Sequence, residues 1–214
     1  MESPKLSYCI AIPTINRKDL LMEALDWYTR NMPNTEILIL DNGNQGIPEL
    51  TKNVKVFTPE KNLGVAGSWN FLIWTAINKG HSHVLVLNDD VVLQRTEGEI
   101  DALIQKEDNL TFHRPRAFYN WSAFIISKDI FQKVGMFDIA FKRAFFEDND
   151  YEYRMRLKGI HIKYQDDLGA QVYRNSQTIE KEPLLGGYIE NRELYLKKWG
   201  GLPNEENYKT PYNA

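Results

Sequence analysis

The run Val84-Leu85-Val86-Leu87, closed at once by Asn88-Asp89-Asp90, constrains this chain more than any other stretch. Four apolar residues without alternation read as a strand buried on both faces, as in a parallel sheet covered by helices. Such sheets place their ligands outside the carboxyl ends of the strands. Neighbouring carboxylates repel each other there unless a cation or a shared proton relieves them. A second acidic cluster, Glu147-Asp148-Asn149-Asp150, follows the aromatic pair Phe145-Phe146. The pattern suggests a divalent metal at the first cluster and proton chemistry at the second.

The preceding residues repeat the strand theme. Residues 7–12 make a first strand, ended by Pro13, and Leu20, Leu21, Ala24, Leu25 and Tyr28 then recur at helical spacing until Pro33. Ile37–Leu40 is a second strand with the turn Asp41-Asn42-Gly43 behind it, and Val54–Phe57 is a third. Val65, Trp69, Leu72, Ile73, Ala76 and Ile77 describe a helix face that Gly80 stops. This β-α-β-β-α-β order predicts an α/β domain with a mostly parallel central sheet flanked by helices. Farther on, the spacing predicts helices over 97–106, 130–134, 149–159 and 186–199, and strands over 123–126, 160–164 and 171–173. Residues 149–159 also alternate like a strand, but the capping Asp148 or Asn149, the Glu152 to Arg156 spacing and Gly159 favour the helix. Residues 111–120 read as a basic, aromatic loop, and 200–214 as a surface wrap or a linker to a further domain.

Composition removes several function classes. A chain of 214 residues fits one domain with a substantial core. A net charge of -3 with dispersed basic residues gives no grip on nucleic acid. The single cysteine, Cys9, has no internal disulfide partner and reads as a reduced core thiol in a cytoplasmic setting. No secretory pattern and no apolar run near the ~20 residues of a membrane span occurs, so a soluble protein is expected unless another part of a longer polypeptide anchors it. Aromatic residues make up 12% of the chain, and such rings suit sugar faces as well as cores.

The candidate site residues each admit two accounts. Pro13-Thr14-Ile15-Asn16-Arg17 opens the first helix with positive charge where acidic residues are normal, so it is either an anion site or a solvated basic turn. Asp41-Asn42-Gly43 can hydrogen-bond a nucleobase or ribose, or be only a turn. Asn62-Leu63-Gly64 opens a helix without the glycine spacing of a dinucleotide site or the Lys of a phosphate loop. Asp90 is the first candidate ligand for Mg²⁺ or Mn²⁺, with Asp89 as a second ligand or ribose contact; a capped turn is the plainer account. In the second cluster one carboxylate accepts a proton from an acceptor hydroxyl, or all serve helix capping, as Asp150 with Arg154 would. His81, His83, His113 and His161 show no metal-ligand spacing and read as structural.

Taken in order, these segments resemble the GT-A nucleotide-sugar glycosyltransferases, family two in particular. The likeness runs from about Tyr8 to Gly159: strand-Pro-x-x-x-Arg, strand-Asp-Asn-Gly, Asn-Leu-Gly with Asn70 in the next helix, strand-Asn-Asp-Asp, Val134-Gly135-Met136-Phe137-Asp138, and Glu-Asp-x-Asp with Arg154. The chain is also similar to capsid-glycan glycosyltransferase domains of large algal viruses, which implies action in a host cytoplasm. The family likeness implies a single GT-A domain, nucleotide-binding over 1–95 and acceptor-binding and catalytic over 96–199. It implies nucleotide contacts from Pro13, Thr14, Arg17, Asp41, Asn62, Gly64, Asn70, Asn88 and Asp89, and a Mn²⁺ or Mg²⁺ ion on Asp90 and Asp89. Asp148, with Glu147 beside it, matches the acid that deprotonates the acceptor. Trp121 and Asp150 fall to sugar or acceptor; Trp121 reads equally as core.

The implied reaction moves a sugar from a UDP-hexose or UDP-6-deoxyhexose to an oligosaccharide or glycoprotein glycan. Arg174 stands where relatives often carry a metal- or phosphate-contacting His, and Ser122 where a Gly is common. Both departures bear on the metal and sugar sites. The rivals are a sugar-phosphate nucleotidyltransferase, a silent carbohydrate- or nucleotide-binding module on the same fold, and a hydrolase pairing Asp90 with Asp148. A nucleotidyltransferase would need a glycine-rich basic first loop, and Pro13–Arg17 contains no glycine.

Overall fold

The computed structural model describes residues 6–105, 112–114, 121–164, 170–173 and 185–214. Its main sheet has seven strands: β1 (Tyr8–Thr14), β2 (Glu36–Asp41), β3 (Val54–Phe57), β4 (His83–Leu87), β6 (Phe112–Arg114), β7 (Ala123–Ser127) and β8 (Ile162–Tyr164). They lie in the order β3-β2-β1-β4-β7-β6-β8. The first four run parallel, whereas β7 is antiparallel to both β4 and β6, and β6 pairs parallel with β8. A second, two-stranded sheet joins β5 (Val91–Leu93) to β9 (Ala170–Tyr173). The helices are α1 (Lys18–Asn31), α2 (Gly64–Asn78), α3 (Glu97–Gln105), α4 (Lys128–Val134), α5 (Glu147–Leu157) and α6 (Leu185–Trp199).

The apolar runs behave as their composition requires. Ile10, Ile12, Ile37, Ile39, Leu85, Leu87 and Ile125 point to one face, where α1 and α3 deliver Leu21, Leu25, Tyr28, Ile100 and Ile104. Their neighbours Cys9, Ala11, Leu38, Leu40, Val84, Val86, Phe124 and Ile126 point to the other, against α2, α4 and α5. Side chains alternate across a strand, so a strand covered on both faces must be apolar at every position. Each fully buried Leu or Ile contributes about 1.5–3 kcal/mol. Burial also pushes the Cys9 thiol well above its ordinary pKa.

Three expectations are corrected here. Pro13 does not end the first strand; β1 continues to Thr14 beside β2, with Pro13 opposite Leu40. The ladder to β4 has already stopped at Ala11, so a missing N–H costs little. Residues 112–114, expected in a loop, pair as β6. The strand β5, directly behind the acidic cluster, is not among the strands that the residue pattern predicts. The stretch expected as a helix over 149–159 is helical to Leu157, within α5, and Gly80 and Gly135 follow their helices with positive φ.

A third cluster, Phe141, Phe146, Tyr153, Tyr195 and Trp199, joins α5 to α6. At its edge lies Asp150, which has no exposed surface. Its carboxylate accepts from Arg154 Nε at 2.8 Å and from Trp199 Nε1 at 2.9 Å, and it pairs with Lys198 Nζ at 2.6 Å. Asp150→Ala would leave Arg154 without its carboxylate, the Trp199 indole without its acceptor and Lys198 with Asp138 alone, and removing one partner of such a buried set costs about 3–5 kcal/mol. Urea denaturation of this variant should show a loss of that size.

Candidate active site

In the order β3-β2-β1-β4 the chain leaves β1 on one side and returns on the other, which makes the carboxyl ends of β1 and β4 the switch point where open sheets bind ligands. Thr14 ends β1 and donates its hydroxyl to Asp89 Oδ2 at 2.8 Å, tying the two strand ends together. A cavity of about 850 Å³ opens there, with Pro13, Thr14, Asn88, Asp89, Asp90 and Trp121 in its lining. Asn62 and Gly64 from the start of α2 line it, as do Glu147 and Asp148 from the start of α5. The two acidic clusters thus share one space.

Loop geometry brings them together. Gly64 has φ +68°, and a Cβ there would stand 3.1 Å from the backbone nitrogen of Arg143. The adjoining Val65 N–H donates to the Arg143 carbonyl at 2.7 Å. Arg143, Phe145 and Phe146 all have positive φ, of 63°, 81° and 69°. Backbone of that kind in non-glycine residues costs on the order of 1–3 kcal/mol each. Asn191 of α6 offsets part of it: its Nδ2 donates to the carbonyls of Lys142, Ala144 and Phe145, and its Oδ1 accepts from Lys142 N–H. This clamped turn launches α5 with Glu147 and Asp148 at its first positions.

Four of the expected site residues lie outside the cavity lining, each for a physical reason. Asp41 is buried, and its carboxylate accepts from the Gly43 and Gln45 N–H groups and from Gln45 Nε2, so it builds its own turn. Asn70 clips both backbone groups of Phe137 at 2.8 Å. Asp150 is enclosed by the cations and indole described above. Arg17 is buried against Asp19; that hydrogen bond, with the nearby charges of Asp89 and Asp90, raises its pKa further. It balances the acidic cluster from behind. Trp121 reaches the lining but is only 2% exposed, its ring packed among Trp69, Phe124, Phe137 and Tyr151. The core account of that residue fits better than sugar stacking.

Other lining residues were not among the expected site contacts. Asn42 accepts from Leu63 N–H and donates to Ser68, joining the β2 turn to α2. Arg143, Phe145 and Phe146 are positioned by the clamped turn, while Tyr188, Arg192, Leu202, Pro203 and Glu205 come from the C-terminal segment. Ser122 also lines the cavity. Arg174 lies outside the described residues. His81 bonds Glu36, and His83 bonds Ser82, as structural histidines would.

Asp89 and Asp90, 5% and 8% exposed, offer two adjacent carboxylates at a strand end. No group of three or more His, Cys, Asp or Glu arranged to hold a metal occurs among the described residues. An all-oxygen pair of this kind fits Mg²⁺ or Mn²⁺, which take one or two carboxylates and complete their shell with phosphate oxygens and water.

Residues 9–170 match the sequence model of glycosyl transferase family 2. The chain belongs to this family. Its fold is the GT-A fold. No curated protein matches it. Among solved structures, it superimposes on the mannosyltransferase PcManGT from Pyrobaculum calidifontis, in complex with GDP-Man and Mn²⁺, with a TM-score of 0.61 and 15% identity over 79% of this chain. It also matches GalNAc-T7 with UDP, GalNAc and Mn²⁺, with a TM-score of 0.66 and 14% identity over 91%. The chain spans 57% and 48% of those two proteins. At such identity the likeness concerns the fold.

In this member of the family Glu147 is 4% exposed, and its Oε2 has no hydrogen-bond partner. Burial, reinforced by the charge of Asp148, pushes its pKa up from 4.5 to about 8. The folded protein therefore keeps a proton that the unfolded chain releases. That contribution to stability is complete below about pH 4.5 and disappears as pH rises through about 8. Glu147→Gln should remove this slope, worth on the order of a few kcal/mol, in urea denaturation run at about pH 5, 6.5 and 8.

Proposed function

We propose that this enzyme transfers a hexose or 6-deoxyhexose from a nucleoside diphosphate, UDP in the first instance, to a hydroxyl of an oligosaccharide or glycoprotein glycan. The observation that carries this reading is the shared cavity: Asp89 and Asp90 line the same space as Asp148. Thr14, Asn62, Gly64 and Asn88 contact the nucleotide, and Asn42 takes the base-side contact that Asp41, engaged in its own turn, does not make. Asp90 and Asp89 hold Mn²⁺ or Mg²⁺. When bound, the cation supplies Lewis-acid neutralisation of charge on the diphosphate.

Asp148 takes the proton of the acceptor hydroxyl as its oxygen bonds to the anomeric carbon. The bond from that carbon to the phosphate oxygen breaks, and its electron pair leaves with the nucleoside diphosphate. One displacement inverts the anomeric centre. Glu147, protonated at neutral pH, leaves Asp148 as the charged member of the pair. The backbone N–H of Asn149 donates to Asp148 Oδ1 at 2.8 Å and orients it. The sequence resemblance supports action in a host cytoplasm and a viral source, and the buried thiol of Cys9 accords with a reducing compartment. No described helix is long and apolar enough to cross a membrane.

A thermal-shift panel of UDP, GDP, CDP and dTDP, each with and without Mn²⁺, tests the donor assignment. A ligand at 100 times its Kd stabilises by ~2.7 kcal/mol, so a metal-dependent rise in Tm is expected for UDP. The absence of a metal-dependent shift with every nucleotide would refute the reading. Asp90→Asn should lose the metal-dependent shift. Asp148→Asn should keep it while transfer falls by about 100-fold or more, the scale of general-base catalysis. Transfer by Asp148→Asn at the wild-type rate would remove the base assignment.

A further inference from the structure

The family match stops at residue 170, yet the cavity is completed by residues beyond it. Tyr188 and Arg192 of α6, with Leu202, Pro203 and Glu205 behind that helix, form a wall of their own. We infer that this C-terminal wall is the acceptor subsite, and that Tyr188 is the platform on which the acceptor's sugar ring packs. The inference rests on the transferase function proposed above and names the chemistry of its second substrate.

Three observations carry it. The first is accessibility. A sugar packs its C–H face on an aromatic face, which must be open to it; Tyr188 is 43% exposed where it lines the cavity, while Trp121 is enclosed. The second is position. The Tyr188 ring meets Phe145 and Phe146 with centroids 5.5 Å and 5.3 Å away, and Phe146 directly precedes Glu147 and Asp148. A ring seated on Tyr188 therefore lies beside the group that takes the acceptor proton. Leu202 and Pro203 add apolar surface, while Arg192 and Glu205 provide a donor and an acceptor for sugar hydroxyls.

The third is rigidity. Asn207 and Tyr208 N–H groups both donate to the Trp199 carbonyl at 3.0 Å, and Tyr153 donates its hydroxyl to the Tyr208 carbonyl at 2.8 Å. Glu206 accepts from Tyr195 at 2.6 Å and from Arg156 at 2.9 Å. A Cβ on Gly201 would collide with the Glu205 carbonyl, so the turn needs glycine there. Through Lys198 and Trp199 the segment is fixed to Asp150, two residues after the proposed base. A wall held this way is ordered before the acceptor arrives, which lowers the entropic cost of binding.

The test compares wild type, Tyr188→Phe and Tyr188→Leu, each confirmed as folded by its thermal melt. Nucleotide release is followed with UDP-glucose, UDP-galactose, UDP-N-acetylgalactosamine and GDP-mannose in Mn²⁺. Methyl glycosides of glucose, galactose, mannose, N-acetylglucosamine and rhamnose are titrated as acceptors. Release by wild type should rise saturably with at least one glycoside. Tyr188→Phe, which keeps the ring, should half-saturate within about two-fold of wild type, and Tyr188→Leu should need about ten-fold more glycoside, the scale of ~1.4 kcal/mol. The Kd of the matching nucleoside diphosphate should stay within about two-fold in all three, since a tenfold change marks ~1.4 kcal/mol. Half-saturation of Tyr188→Leu at the wild-type concentration overturns the inference, as does a wild type that binds nucleotide but responds to no glycoside. A wild type that binds no nucleotide sinks the transferase reading itself, and the inference with it.

Discussion

Asp150 ties α5 to α6. A carboxylate with no contact with water is tolerable only when its charge and lone pairs are satisfied, and here Arg154, Lys198 and the Trp199 indole do so. Two of those partners sit on α6 and one on α5. The bond set therefore fixes the helix that begins with Glu147 and Asp148 against the helix that carries Tyr188, Asn191 and Arg192. The strained turn ahead of α5 can then persist, because Asn191 meets it from a helix that is itself anchored.

The N-terminal half obeys a different constraint. Three of its four parallel strands, β1, β2 and β4, are apolar on both faces and so require helices over both faces of the sheet, whereas the edge strand β3 carries Lys55. The consequence is geometric: the crossover between β1 and β4 puts Thr14 beside Asp89, and the remaining polar loops gather around that bond. One half is ordered by its apolar core, the other by buried polar contacts.

This contrast explains how much could be read from the residues alone. Val84–Leu87 and Ile37–Leu40 announced their strands because burial on both faces leaves a local signature. Asp89, Asp90 and Asp148 stood out because carboxylates at strand ends and helix starts are few, and all three line the cavity. Asp41, Asn70 and Asp150 looked equally suitable, yet each proved to be engaged with backbone or cations. Residue type and spacing do not reveal which lone pairs the fold has already filled. Tyr188, Arg192 and Glu205 gave no signal, since their place in the cavity wall depends on how α6 docks, far along the chain from Asp148. The pairings of β5 and of β6 were missed for the same reason: such short strands owe their existence to partners distant in sequence.

The backbone contact between Gly64 and Arg143 joins the two halves at one place. The turn that opens α2 and the turn that opens α5 abut there with no side chain between them to absorb displacement. A displacement of the first turn is therefore passed to the backbone from which the second begins, shortly before Glu147, and a bulkier residue at position 64 would act as a wedge between the two.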